Sequence, residues 1–78
     1  MIFTDGIHLV SDNSLDELHE FAQKIGLKRK WFQDKRLPHY DITSKRIFKI
    51  SLDNGAKITT SRDIVKIIKK VMSNGMDS

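Results

Sequence analysis

Ser14-Leu15-Asp16-Glu17-Leu18-His19-Glu20-Phe21-Ala22-Gln23-Lys24-Ile25-Gly26-Leu27 carries a helix start, a helical apolar face and a helix stop in one uninterrupted stretch. Ser14 to Glu17 is a capping box, in which the serine hydroxyl and the glutamate carboxylate each satisfy an amide orphaned in the first turn. Leu15, Leu18, Phe21, Ala22 and Ile25 recur at helical spacing, and Gly26-Leu27 supply a left-handed stop with its hydrophobic contact. A helix fixed here sets how the flanking segments are read.

Upstream, Ile7-His8-Leu9-Val10 is apolar and β-prone, and Asp5-Gly6 reads as a turn after a first extended piece at Ile2-Phe3-Thr4. Downstream, residues 28–33 carry aromatic β-formers without helical periodicity and predict a second strand. Asp34 to Asp41 reads as a loop in which Pro38 holds Leu37 extended. Thr43 or Asp41 caps a second helix from Ser44 to Leu52, with Ile47, Phe48 and Leu52 inward and Asn54-Gly55 ending it. Ala56 to Thr59 reads as a third strand. Thr60-Ser61-Arg62-Asp63 then opens a third helix, whose Ile64, Ile67, Ile68 and Val71 form one apolar stripe with Lys66, Lys69 and Lys70 mostly outside it. This alternation predicts an α/β domain, a small, mostly parallel three-stranded sheet with three helices and right-handed crossovers. Residues 1–78 form a single domain in this reading, frayed only over 74–78.

A chain of 78 residues that is 38% hydrophobic supports one modest core, which seldom supplies more than roughly 3–5 kcal/mol unaided. The absence of cysteine excludes disulfides and thiolate metal sites and fits an intracellular setting. Self-association into a dimer or tetramer is the expected reinforcement. No apolar run approaches the roughly 18–20 residues that span a bilayer, and the N-terminus lacks a basic-then-apolar secretory pattern. A cytoplasmic protein with no membrane partner is expected. The net charge of +4 is unevenly placed: residues 1–27 hold one lysine against five acids, and residues 28–78 hold thirteen Lys/Arg against five aspartates. An anionic partner would be drawn to the second part, unless those cations simply keep the surface solvated.

The chemistry concentrates between Lys28 and Arg46. Trp31, Phe32 and Tyr40 flank a segment containing Lys28, Arg29, Lys35, Arg36, Lys45 and Arg46, so flat faces for stacking lie beside cations for phosphate. The plainer reading is that Trp31 and Phe32 alternate on a strand and one of them belongs to the core. His39-Tyr40-Asp41-Ile42-Thr43-Ser44-Lys45-Arg46 brings an imidazole, a phenol, a carboxylate, hydroxyls and cations to a helix entrance, where free amides favour an anion. The candidate ligand-binding residues are Arg29, Trp31, Gln33, His39, Tyr40, Thr43, Lys45 and Arg46. His8, His19 and His39 show no H-x-x-x-H or H-E-x-x-H spacing, so no metal and no cofactor is assigned, and no catalytic residue. Asp5, His8, His39 and Asp41 are acids and imidazoles that would make a reactive site only if folding gathers them.

The ordered set His8-Leu9-Val10-Ser11-Asp12, Glu17-Leu18-His19-Glu20-Phe21-Ala22, Ile25-Gly26-Leu27-Lys28-Arg29-Lys30-Trp31-Phe32-Gln33, His39-Tyr40-Asp41-Ile42-Thr43 with Lys45-Arg46, and Gly55-Ala56 resembles the bacterial and phage domain-of-unknown-function family 4031. The likeness runs from about Met1 to Ala56. It implies a small α/β domain of bacterial or phage origin, and no family chemistry comes with it. Members of that family commonly begin with a strand ending in paired acids and a longer basic turn, whereas Thr4-Asp5-Gly6-Ile7 holds a single acid. A two-metal nuclease needs several oxygen ligands, which this end of the chain does not offer.

The expected function is a nucleotide-binding module that sequesters a small phosphate-bearing, cyclic dinucleotide signal, as phage counter-defence sponges do. The alternative is a phosphodiesterase or nuclease using His39 and Asp41, with His8. Non-specific nucleic-acid binding through the lysines of the third helix ranks last, because its apolar stripe marks that helix first as a packing element.

Overall fold

The computed structural model describes residues 1–33 and 38–76, the last five of them as helical backbone. In chain order the elements are β1 (Ile2–Thr4), β2 (His8–Ser11), α1 (Leu15–Lys24), a 3-10 turn (Arg29–Trp31), β3 (Phe32–Gln33), β4 (His39–Asp41), α2 (Lys45–Asp53), β5 (Lys57–Ile58) and α3 (Ser61–Met76). Lys35 and Arg36 lie outside the described residues, as do Asp77 and Ser78 of the tail expected to fray.

The sheet corrects the expected one. It has five strands in the order β3-β4-β2-β1-β5 rather than three, and it is mixed and mostly antiparallel. β1 runs antiparallel to β2, β2 to β4 and β4 to β3, and only β1 and β5 are parallel. The reason lies in connection length. A parallel pair needs a crossover of a dozen or more residues, whereas Asp5-Gly6-Ile7 can only fold the chain back on itself. The Asp5 carboxylate accepts the amides of Ile7 and His8 at 2.9 and 2.7 Å, and Gly6 takes a φ of +95° that other residues rarely adopt. Residues 28–31 are not a strand, because the Trp31 amide donates to the Lys28 carbonyl at 2.9 Å and closes the 3-10 turn. His39 to Asp41, expected as loop, is the strand that pairs with β2 and β3.

The helices follow their local signals. Ser14 caps α1 by accepting the Glu17 amide at 3.1 Å. The second half of the capping box is replaced: the Ser14 amide donates to the Ser11 hydroxyl at 3.2 Å, and Glu17 instead accepts from Ser11 and from the N-terminal ammonium. At the far end Leu27 N–H reaches the Ala22 carbonyl at 2.8 Å and Gly26 N–H the Gln23 carbonyl at 3.2 Å, the double bond of a Schellman stop. Helix α2 ends the same way through Gly55 and Ala56. Its cap is Ser44, which accepts the Ile47 amide at 3.2 Å, and neither Thr43 nor Asp41 takes that place. Thr60 caps α3 through the Asp63 amide.

Strand alternation divides the core into two layers. Ile2, Leu9 and Tyr40 face one side, buried with Leu18, Ala22, Ile25, Leu27 and Ala56, and Ile47 and Ile50 of α2 pack there. Val10 faces the other side against Ile64 and Ile68 of α3, with Phe3 and Ile67 alongside. The sheet is thus sandwiched between α1 with α2 and α3. Among the described residues, no helix is long and apolar enough to cross a membrane.

Candidate functional site

Since Leu9 and Tyr40 point toward α1, their strand neighbours His8, His39 and Asp41 emerge on the face that carries α3. Pairing of β2 with β4 sets His8 directly opposite Asp41, and His39 lies two residues before Asp41 on the same face. The two imidazoles meet edge to face with ring centres 5.0 Å apart. His39 Nε2 lies 3.0 Å from Asp41 Oδ1, and His8 Nδ1 lies 3.0 Å from Asp5 Oδ2. One donor atom from each of His8, His39 and Asp41 falls within 4.8 Å of the others. His8 and Asp41 remain open to solvent, while the Asp5 side chain beneath them is only 3% exposed.

Asp5 is the fixed point of this group. Its Oδ1 accepts the Ile7 and His8 amides, and its Oδ2 accepts the Ser61 hydroxyl at 2.6 Å beside the His8 ring. Burial alone would raise its pKa, but the Ser61 hydroxyl, the His8 ring and the two amides outweigh it and hold the carboxyl far below the usual range. An ionised Asp5 can only accept. His8 Nδ1 therefore donates to it, an arrangement that in a neutral ring leaves the lone pair on Nε2, directed away from Asp5. A lone pair so oriented can take a proton or bind a metal.

The residues expected to bind ligand do not form one patch. His39 joins the cluster just described, and Gln33 pairs with it in register at the edge of the sheet. Tyr40 lies on the opposite face, 1% exposed in the core, with its hydroxyl 2.8 Å from His19 Nδ1. It has no face to offer a base, and burial raises its pKa against the opposing charge of Arg29. Trp31 is exposed, with Lys28 Nζ 5.7 Å from its ring centre, and the Arg29 guanidinium lies 5.1 Å from the centre of the half-buried Phe32. A cleft of about 460 Å³ opens beside them between Gly26, Leu27, Lys28 and Arg29 and the side chains of His19 and Tyr40. Thr43, Lys45 and Arg46 are exposed at the entrance of α2, Arg46 in its first turn.

Sequence reasoning named Asp5, His8 and Asp41 without being able to join them, and it passed over Ser61. The usable signal was His39-x-Asp41: read as strand rather than loop, it puts both side chains on one face. The contribution of Ser61 is a contact between residues 56 positions apart, for which a single sequence holds no local sign.

A family model described as a protein of unknown function, DUF4031, matches residues 5–71 of the chain. The matched stretch contains Asp5, His8, His39, Asp41 and Ser61. No curated protein and no solved structure matches the chain.

Proposed function

The chain belongs to the DUF4031 family of proteins of unknown function, and from that premise we propose that it hydrolyses a phosphodiester of a small nucleotide at the face built by Asp5, His8, His39 and Asp41. One observation carries this reading: two imidazoles in edge-to-face contact, each hydrogen-bonded to a carboxylate, on a solvent-open face of the sheet. In the hydrolysis water attacks phosphorus, one P–O bond breaks, and the departing oxygen leaves as an alcohol with a proton. Such a step needs a group that makes deprotonation of that water easier at neutral pH, and imidazole lone pairs are suited to it. Exposed Lys45 and Arg46, four and five residues beyond Asp41, are cations available to the phosphate. The protein acts in the cytosol, bacterial where a phage encodes it. Self-association into a dimer or tetramer belongs to the same reading, because no disulfide reinforces so small a core.

A second reading is capture without turnover, the sponge expected from the sequence. What favours it is the cleft beside Lys28, Arg29 and the exposed Trp31. A time course on a panel of linear and cyclic dinucleotides separates the two. Product in excess over protein supports hydrolysis, whereas nucleotide recovered intact after denaturation supports capture and contradicts it.

A further inference from the structure

We propose that His8, His39 and Asp41 form a mononuclear site for a divalent transition-metal ion of the zinc class, with Asp5 as the residue that positions His8. The site rests on geometry alone, while its use in hydrolysis rests on the function proposed above. Metal–ligand bonds of about 2.0–2.2 Å at near-tetrahedral angles set neighbouring donor atoms roughly 3.0–3.5 Å apart. His39 Nε2 and Asp41 Oδ1 already stand 3.0 Å apart, so an ion can replace the proton they share. The His8 donor lies within 4.8 Å of both.

The roles within the site divide by saturation. Ionised carboxylates offer about four acceptor positions, and Asp5 uses them on two amides, Ser61 and His8. It has none to spare for an ion and serves instead to fix the His8 tautomer, as carboxylates behind metal-bound histidines do. Two nitrogen donors with one oxygen select zinc-like ions over magnesium or calcium, which take oxygen ligands. Three protein ligands leave one position of a tetrahedral ion for water or substrate, the arrangement of catalytic rather than structural sites.

The test titrates zinc, and separately cobalt(II), into the full chain while recording calorimetry, cobalt visible absorption and the imidazole resonances of all three histidines. One ion per chain, with His8 and His39 resonances moving and His19 unmoved, is the expected result. His39→Ala should abolish the cobalt spectrum. Asp5→Asn keeps the turn-forming Oδ1 but turns an N–H toward His8, and should weaken binding 10–100-fold, the usual loss when such a partner is changed. If either variant fails to fold, the resonance shifts of the parent protein decide alone. Absence of saturable binding, or shifts confined to His19, overturns the site. Hydrolysis that persists unchanged in chelator would overturn the metal site and leave the proposed function standing. Metal binding without turnover would do the reverse.

Discussion

The Ser61 hydroxyl donates to Asp5 Oδ2 at 2.6 Å, joining the first residue of α3 to the turn of the β1–β2 hairpin. The contact ties the helix on one face of the sheet to the carboxylate that orients His8, so folding of α3 and assembly of the cluster are linked. Ser61→Ala should cost about 1.5–3 kcal/mol, the range for a hydrogen bond to a charged group. In a domain of this size that lowers the melting point by about 4–8 °C per kcal/mol. Ser61→Thr, which keeps the hydroxyl, should recover most of the loss in a thermal melt.

Helix α3 stands on Ile64 and Ile68, both buried against Val10. Ile68→Asp should leave the chain unfolded at 25 °C, because a buried unpaired carboxylate costs several kcal/mol against a core worth roughly 3–5 kcal/mol. Lys69→Asp, one residue on and exposed, should remain folded. Far-ultraviolet circular dichroism of the pair checks both outcomes.

The N-terminal ammonium lies 2.7 Å from Glu17 and 3.0 Å from Asp12. Partial burial pulls its pKa down, but the hydrogen bonds and charges of Glu17 and Asp12 prevail and raise it above the ordinary 8.0. Glu17 is lowered from the ordinary 4.5, first by the ammonium and then by Ser11. A raised amine adds stability that is complete below 8.0 and is lost as pH climbs through its folded value. A lowered carboxyl adds stability that is complete above 4.5 and is lost as pH falls through its folded value. Denaturant midpoints should therefore hold between those limits and decline outside them. Acetylating the terminus should remove the alkaline decline, and a decline that survives acetylation would assign it elsewhere.

Arg46 sits exposed in the first turn of α2, where a cation opposes the helix dipole unless an anion accompanies it. Arg46→Ala should leave the melting point unchanged or slightly raised. Nucleotide affinity should weaken by about 1.5–3 kcal/mol, the scale of a charge-assisted hydrogen bond. Lysine should restore only part of it, lacking the bidentate fork. Calorimetry with unchanged affinity in the alanine variant would make Arg46 a solvated surface cation.

What the sequence made legible was what neighbours in the chain decide. Ser14 with Gly26-Leu27 bounded α1 correctly because caps and stops act within a turn or two, and Thr60 opened α3 for the same reason. The strands are two to four residues long, too short for period-two alternation to stand out, so Pro38 drew His39-Tyr40-Asp41 into a loop assignment. Sheet order depends on β4 crossing to pair with β2 and on β5 reaching β1, pairings between distant segments that no local pattern encodes. The site inherits that difficulty. Its donors come from β2 and β4, so helical ligand spacings had nothing to detect, while Tyr40, attractive as a stacking face, was claimed by the core on the opposite side of the same strand.

The most direct measurement of the central claim is product formed per protein chain when a dinucleotide phosphodiester is incubated with zinc-loaded parent protein and with His8→Gln. The parent should release many product molecules per chain, and His8→Gln, with its fold confirmed by circular dichroism, should be slower by about 100-fold or more, the lower range for loss of a catalytic proton-transfer or water-activating group. Substrate returned intact by the parent, or a His8→Gln variant as active as the parent, would contradict the assignment of this face as the reactive centre.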